Sequence, residues 1–216
     1  TLKRAAFSPN IKERRDYSCA LFNSKGDLIA QGDHMPVHLG SMPLSVKAAL
    51  QRHVIDPGDV VILNDPYAGG THLPDITLVS GVFQRGKLRF YLACRAHHSD
   101  VGGMSPGSMP VSTELYQEGL IIPPIKLVEA GKVNEAVQAL IYRNVRTPKE
   151  RAGDFSAQMA AHRTGEQRLQ DLSRRYGVPQ IAAAMAGVME YAEAATRNAL
   201  RQVPAGVYSL DRKSHV

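Results

Sequence analysis

The chain has 216 residues, of which 44% are hydrophobic, so it can bury a core, and a disordered protein is excluded. Its formal net charge is +6, but no basic helix, aromatic-studded strand or zinc-finger spacing accompanies that charge, so nucleic-acid binding is not predicted. The longest nearly apolar run, residues 178–189, is too short to span a bilayer, and no signal peptide opens the chain, which predicts a cytoplasmic protein without a membrane partner.

Short β-type runs alternate with turn clusters before residue 130. Residues 17–22 and 27–31, joined by a turn at 23–26, predict a β-hairpin. Cys19 and Cys94 lie in apolar, strand-like contexts, where reduced core thiols are expected. Ser41 as an N-cap predicts a helix over residues 42–54. The apolar residues assigned to its inner side are Leu44, Val46, Ala49 and Leu50.

A second predicted hairpin brackets a group of polar side chains. The strands predicted here are 59–63, 76–83 and 88–97, with a turn at 84–87 between the last two. The first of these strands leads into the loop that holds His72, and the hairpin starts after Asp75 and ends at His97. Because those two ends are adjacent in an antiparallel pair, His72, Asp75 and His97 are predicted to share one site.

The pattern becomes helical beyond residue 130. Helices are predicted over 133–142, 149–175 and 179–203, with a break at Tyr176-Gly177. The expected fold class is α+β, in which a mixed or antiparallel sheet packs with a helical part. The expected organisation is a β-rich metal-site region at 1–130 and a helical region at 131–216 within one domain.

Two imidazoles and a carboxylate form the candidate functional group of the chain. Pro74 between His72 and Asp75 keeps that segment extended or turned, so the pair does not lie on a helix face. With His97 the set would leave open positions on Zn, Mn or Fe(II) for water or substrate. The alternative is an ordinary surface hydrogen bond between a histidine and a neighbouring acid, and spacing alone leaves both interpretations open.

Other polar residues near this set have two interpretations each. Asp16 is either a further ligand or a partner for the adjacent arginines, and Asp65 is typical of an Asx-turn. Asp100 precedes a Gly-Gly pair that turns a corner or approaches a ligand. His38, just before the predicted helix, is either next to an anion or a buried hydrogen-bonded histidine. His98 faces either substrate or the far side of the strand.

The remaining histidines, His53, His162 and His215, have surface or helix contexts and are assigned no function.

Ten short blocks occur in collinear order along nearly the whole chain. They are SPNI at 8–11, ERRDYSCA at 13–20, GDHMPVHLGSM at 32–42, NDPYAGGTHLPD at 64–75, RAHHSDVGG at 95–103, PGS at 106–108, EGLIIPP at 118–124, NVR at 144–146, GDFSAQ at 153–158 and PAGVY at 204–208. On these blocks the chain resembles the hydantoinase B family. That family comprises the B-type subunits or domains of ATP-dependent N-methylhydantoinase, 5-oxoprolinase and caprolactamase, and the matching subunit of acetone and acetophenone carboxylases.

The resemblance implies that two subunits carry out different steps of one reaction. An A-type partner binds ATP with Mg and phosphorylates the carbonyl oxygen of the substrate, and the B-type subunit carries a metal centre where the activated species reacts. The family's metal ligands fall on His72, Asp75 and His97, with Asp16 as a fourth. The expected assembly is therefore a hetero-oligomer with a hydantoinase A-type subunit.

Position beside this centre suggests further roles. His98 or Asp100 is expected to move protons, and His38 is a third catalytic candidate. The glycines expected to present backbone N–H groups to the phosphorylated oxygen are Gly69, Gly70, Gly102 and Gly103.

Three functions are consistent with the resemblance. The favoured one is the metal-containing subunit of an ATP-dependent cyclic-amide hydrolase, and the alternatives are the equivalent ketone carboxylase subunit and a non-catalytic fragment that serves in assembly. Family members are usually more than twice as long, and residues 209–216 are basic where the family usually turns acidic, so a truncated, split or frameshifted product is expected.

Overall fold

The computed structural model describes residues 1–32, 35–107 and 110–209. The strands within these ranges are β1 (Tyr17–Asn23), β2 (Leu28–Gln31), β3 (Val60–Leu63), β4 (Asp75–Gln84), β5 (Lys87–His97), β6 (Ile125–Glu129) and β7 (Lys132–Val133). They form one sheet in the order β2-β1-β5-β4-β3-β6-β7, and each neighbouring pair is antiparallel. The described ranges leave out Asp33, His34 and Ser108, which belong to the motifs above, and also His215.

Helices cover both faces of this sheet. They are α1 (Leu2–Ala5), α2 (Pro9–Lys12), α3 (Val37–Arg52), α4 (Glu135–Arg143), α5 (Pro148–Tyr176) and α6 (Val178–Arg201). The predicted α+β class is therefore confirmed, with an antiparallel sheet. None of the helices in the described ranges combines the length and apolar character that a bilayer crossing requires.

The interior strand β3 shows that the core has two sides, one on each face of the sheet. All four of its residues are buried, as expected for a strand that is covered on both faces. Val61 and Leu63 pack in one cluster with residues of α3, and Val60 and Ile62 pack in another with Phe155 of α5. We call these two sides of the sheet the α3 face and the α5 face.

Both predicted hairpins are present, but the helix after the first one begins earlier than predicted. α3 begins at Val37, five residues before the predicted start, and Ser41 is inside it, where its hydroxyl donates to the carbonyl of Val37. Ser41 is therefore not an N-cap. Leu44, assigned to the inner side, is 56% exposed, whereas Val46 and Ala49 are buried as predicted.

Strands β6 and β7 were not predicted from the sequence. These strands form a short hairpin across residue 130, with Val128 opposite Val133, and β6 pairs with β3. The sheet therefore continues past the point where the sequence pattern becomes helical. A two-residue strand such as β7 is too short to show a period-2 pattern.

The register of β4 and β5 brings two polar side chains together. Asp75 and His97 are direct cross-strand partners at the end of this ribbon. Since side chains alternate along a strand, His97 lies on the same side of β5 as Ala93, which packs with α3. His98 lies on the side of Cys94, which packs toward α5.

His162 of α5 makes the stability of the fold depend on pH. Its Nδ1 lies 2.6 Å from the Ser80 hydroxyl, and burial lowers its pKa from 6.5 to about 4. Between those values the unfolded chain binds more protons than the folded one, so the free energy of unfolding falls as the pH is lowered through this window. We expect this group to account for a loss on the order of 3 kcal/mol, measured by urea unfolding at a series of pH values.

The variant His162→Gln removes one titrating imidazole and should reduce this pH dependence, and the part that remains is expected from His98, whose pKa burial also lowers to about 4. Ser80→Ala is the matched control, because it deletes the hydrogen bond and keeps the imidazole, so the slope should persist. An unchanged slope in His162→Gln would show that other groups carry the pH dependence.

Candidate metal centre

Three donor atoms meet at the end of the β4–β5 ribbon. His72 Nε2 lies 3.0 Å from Asp75 Oδ1, His97 Nδ1 lies 3.1 Å from the same oxygen, and the two ring nitrogens are 3.1 Å apart. We call these three residues the His–Asp–His cluster. Its residues come from the loop before β4, from the first residue of β4 and from the last residue of β5.

The spacing of this cluster fits a single cation. Donors bonded at about 2.1 Å in adjacent positions lie about 3.0 Å apart on an octahedron and about 3.4 Å apart on a tetrahedron. Two imidazole nitrogens that face each other and one carboxylate oxygen also repel unless a proton or a cation lies between their lone pairs. The donor set, two nitrogens and an oxygen, suits Zn, Mn or Fe(II).

The electrostatics of the cluster centre on Asp75. Burial would raise the pKa of this carboxyl group, but hydrogen bonds with His38, His72 and His97 hold it well below its usual range. The hydrogen bond to Asp75 in turn raises the pKa of His72 against the effect of partial burial. Asp75 is therefore ionised at neutral pH and supplies the negative charge of the site.

Asp16 and His38 border the cluster from two other elements. Asp16 Oδ2 lies 3.7 Å from His97 Nδ1, and the Asp16 carbonyl accepts the backbone N–H of His97. His38 Nε2 lies 3.2 Å from Asp75 Oδ2. Asp16, His38 and Asp75 also form a second group with metal-ligand spacing, so Asp75 is shared between two sets of donors.

The cluster is closed on one side and open on the other. The side chains of Asp75 and His97 are 3% and 5% exposed, whereas those of His72 and Asp16 are 38% and 22% exposed. A water or a substrate can therefore approach along the edge formed by His72 and Asp16.

The loop that carries His72 is anchored at both ends by side chains. Asn64 donates from Nδ2 to the carbonyls of Leu73 and Leu120, at 2.7 and 2.9 Å, and accepts the N–H of Ile122. Asp65 accepts the N–H of Tyr67 at 2.9 Å, which is the predicted Asx-turn. These bonds satisfy the buried polar groups that an irregular loop would otherwise leave unpaired.

Arg95 connects this loop to the sheet and to α3, and sequence reasoning missed it. The fully buried guanidinium donates to Thr77 at 2.9 Å, to Ser45 at 2.7 Å, to Ser41 and, at 3.4 Å, to the Gly69 carbonyl. The available signal was its position two residues before His97, because strand alternation places both side chains on the same face.

The structure does not bring His98 to the cluster. This imidazole is fully buried on the α5 face, where Nε2 lies 2.9 Å from Gln158 Oε1 and the ring contacts that of Phe155 at a tilt of 43°. Burial lowers the pKa of His98 to about 4. A neutral imidazole turned away from the three donors has no geometry for proton transfer beside them.

Asp100 is also engaged elsewhere. Its carboxylate accepts the backbone N–H groups of Gly102, Arg146 and Thr147, at 3.0, 2.5 and 2.9 Å. Burial would raise the pKa of Asp100, but these backbone hydrogen bonds lower it. Thr147 is the N-cap of α5, so Asp100 places a negative charge at the N-terminus of that helix, where it is stabilising.

The glycine pairs expected at the substrate have packing roles. A side chain at Gly70 would lie 2.3 Å from the Asn64 carbonyl, and one at Gly102 would lie 2.3 Å from the Asn144 carbonyl. The N–H of Gly70 already donates to the Asp65 carbonyl, as that of Gly102 does to Asp100. A side chain at Gly69 or Gly103, which both have positive φ, would lie 2.4 or 2.7 Å from backbone atoms, so close backbone approach accounts for glycine at all four positions.

The fold and the cluster define an α+β protein with a candidate metal centre. The Hydantoinase B/oxoprolinase family profile matches residues 1–214, and the chain belongs to that family. An uncharacterized protein of Methanocaldococcus jannaschii is 45% identical to it over 94% of this chain and 37% of that protein. 5-Oxoprolinase 1 of Arabidopsis thaliana is 40% identical over 100% of this chain and 18% of that protein.

Two solved structures share the fold. The crystal structure of the ATP-dependent caprolactamase from Pseudomonas jessenii superimposes with a TM-score of 0.83 at 39% identity, covering 88% of this chain and 34% of that one. Nucleotide-free acetone carboxylase superimposes with a TM-score of 0.76 at 22% identity, covering 85% and 24%, which shows the fold alone. The chain thus spans less than two fifths of each of these relatives.

The contacts of Asp100 predict a structural effect without an effect on metal. Asp100→Asn removes the charge and turns one acceptor into a donor that faces backbone N–H groups, so stability should fall by about 1–3 kcal/mol. Bound metal per chain should not change. Urea unfolding and elemental analysis of the same preparation measure both quantities.

Asp171→Asn is the matched control on the exposed surface of α5, and it should leave the unfolding midpoint nearly unchanged. Unchanged stability in Asp100→Asn would contradict this structural role and leave the proton-transfer role as the alternative.

Proposed function

We propose that this chain carries the metal centre of an ATP-dependent cyclic-amide hydrolase. His72, Asp75 and His97 would hold the cation, with Asp16 as a fourth ligand, and the cation would be Mn, Zn or Fe(II). The observation that supports this most is the mutual spacing of about 3 Å among the three donor atoms. The family adds support, since its members include 5-oxoprolinase and a caprolactamase subunit.

The chemistry requires a partner. An amide carbonyl is a poor electrophile, and O-phosphorylation converts an oxygen that cannot leave into one that can. A hydantoinase A-type subunit that binds ATP and Mg would carry out this step, in a hetero-oligomer with the B-type chain. A divalent metal, when bound, supplies the Lewis acidity that lowers the pKa of a water to near neutrality.

The buried and the exposed residues of the proposed centre would have different roles. Asp75 and His97 are buried and fixed by β-sheet pairing, so they would set the position of the centre. His72 and Asp16 form the accessible edge, where the activated substrate would enter. Without a cation, hydrogen bonds with the three imidazoles hold the pKa of Asp75 well below its usual range, and a cation bound at Oδ1 would favour the same charged form.

Ketone carboxylation by an equivalent subunit is the second candidate. Its support is the fold shared with acetone carboxylase at 22% identity, which is weaker than the 39% identity with caprolactamase. The donor set suits both chemistries, because the same cation that acidifies a water can hold an enolate against CO2. A non-catalytic role in assembly is the third candidate.

Replacement of His72 tests the metal centre. His72→Ala removes one of three donors, and loss of one ligand should strip bound Mn, Zn or Fe from the purified protein after dialysis. His53→Ala is the matched control, because His53 bonds to the Pro124 carbonyl at the far end of α3 and should leave the metal content at the wild-type level. Full metal occupancy in His72→Ala would remove His72 from the ligand set.

Turnover in the assembled complex tests the substrate class. With an A-type partner and the rest of the B-type sequence present, we expect ATP hydrolysis to depend on a hydantoin, 5-oxoproline or a lactam. His72→Ala should abolish that activity, and His53→Ala should not. Turnover that requires a ketone and bicarbonate would assign the carboxylase, and a metal-loaded complex inactive with both classes would favour the assembly role.

A further inference from the structure

We infer that His38 is a positioning residue that, together with Thr71, holds the outer oxygen of Asp75 and leaves the inner oxygen free to face His72 and His97. The inference rests on the proposed metal centre and assigns His38 a function within it. It replaces the expectation that His38 takes part directly in catalysis.

The two oxygens of Asp75 have separate partners. Oδ1 lies 3.0 Å from His72 Nε2 and 3.1 Å from His97 Nδ1. Oδ2 lies 3.2 Å from His38 Nε2 and 2.5 Å from the Thr71 hydroxyl, which donates to it. One side of the carboxylate therefore meets the two ligand imidazoles, and the other side meets only groups that can donate a hydrogen bond.

The contact between His38 and Asp75 fixes a proton on one nitrogen of the imidazole ring. An ionised carboxylate oxygen only accepts, so the contact at 3.2 Å needs a proton on His38 Nε2. In the neutral ring Nδ1 is then an acceptor, and the Ser18 hydroxyl 2.9 Å away must donate to it. Both ring nitrogens are satisfied by protein groups alone, in a side chain with no exposure to solvent.

This chain of bonds links three elements of the fold. Ser18 lies on β1, His38 in the first turn of α3, and Asp75 at the start of β4. A carboxylate without such donors can rotate about its last bond and present either oxygen or both. With Oδ2 held by two donors, Asp75 would bind a cation through Oδ1 alone, at the point where His72 and His97 converge.

A second cation between Asp16, His38 and Asp75 is the competing interpretation, since these residues also have ligand spacing. It would need Nε2 of His38 without its proton. The imidazole would then have to donate from Nδ1 to Ser18, and the carboxylate Oδ2 would lose one of its two donors. The Ser18 hydroxyl can donate to His38 Nδ1 or accept from it, so its position does not distinguish the two interpretations. The number of metals bound per chain does.

The test compares two replacements of His38. His38→Met fills similar space without a donor, and His38→Gln keeps an N–H group at about the reach of Nε2. Outer-shell donors of this kind typically contribute 10- to 100-fold in metal affinity, so we expect His38→Met to weaken Zn or Mn binding by about that factor. His38→Gln should recover most of the loss, and Thr71→Val should weaken binding in the same direction.

Dissociation constants come from competition with a chelator, and Co(II) absorption reports the ligand field independently of activity. Circular dichroism confirms that each variant is folded, and His53→Ala serves as the control. One metal per wild-type chain with unchanged affinity in His38→Met and Thr71→Val would overturn the inference while the proposed centre stands. Two metals per wild-type chain, reduced to one in His38→Met, would make His38 a ligand and overturn it as well.

A wild-type chain that binds no divalent metal would reject the proposed centre itself, and with it the role of His38.

Discussion

A buried, ionised carboxylate organises this protein. Removing a charge from water costs several kcal/mol unless hydrogen bonds and charges compensate for it. Asp75 receives that compensation from His38, His72, His97 and Thr71, which come from α3, the loop before β4, and β5. The β-sheet itself places His97 beside Asp75, whereas the contacts of α3 and of the loop before β4 with Asp75 are made by side chains. The site and the packing of α3 depend on each other for this reason.

The sequence predicted the part of the site that is local to one hairpin. Turn residues and alternating apolar residues placed Asp75 and His97 at adjacent strand ends, and the register of β4 and β5 confirms that pairing. Proline at position 74 correctly excluded a helix around His72. Local patterns suffice here because an antiparallel hairpin fixes which residues are opposite each other.

The contacts that depend on distant segments were beyond the sequence pattern. His38 lies in the first turn of α3, which starts at Val37, whereas Ser41 suggested an N-cap and a helix start at Met42. His98 is next to His97 in sequence but on the other face of β5. Asp100 follows closely, yet its partners are N–H groups at residues 146 and 147. Proximity in sequence to the His–Asp–His cluster was thus a poor guide to which groups lie beside it.

The length of the β4–β5 ribbon separates the candidate metal centre from the turn that joins the two strands. At about 3.3 Å per residue, the ten residues of β4 put the turn at Arg85 and Gly86 roughly 30 Å from the cluster. Both turn residues are exposed, and both have positive φ, as in a tight two-residue hairpin turn. A fluorophore or spin label attached at this turn would therefore lie far from the His–Asp–His cluster. Such a label could report on assembly with other chains and leave the cluster unchanged.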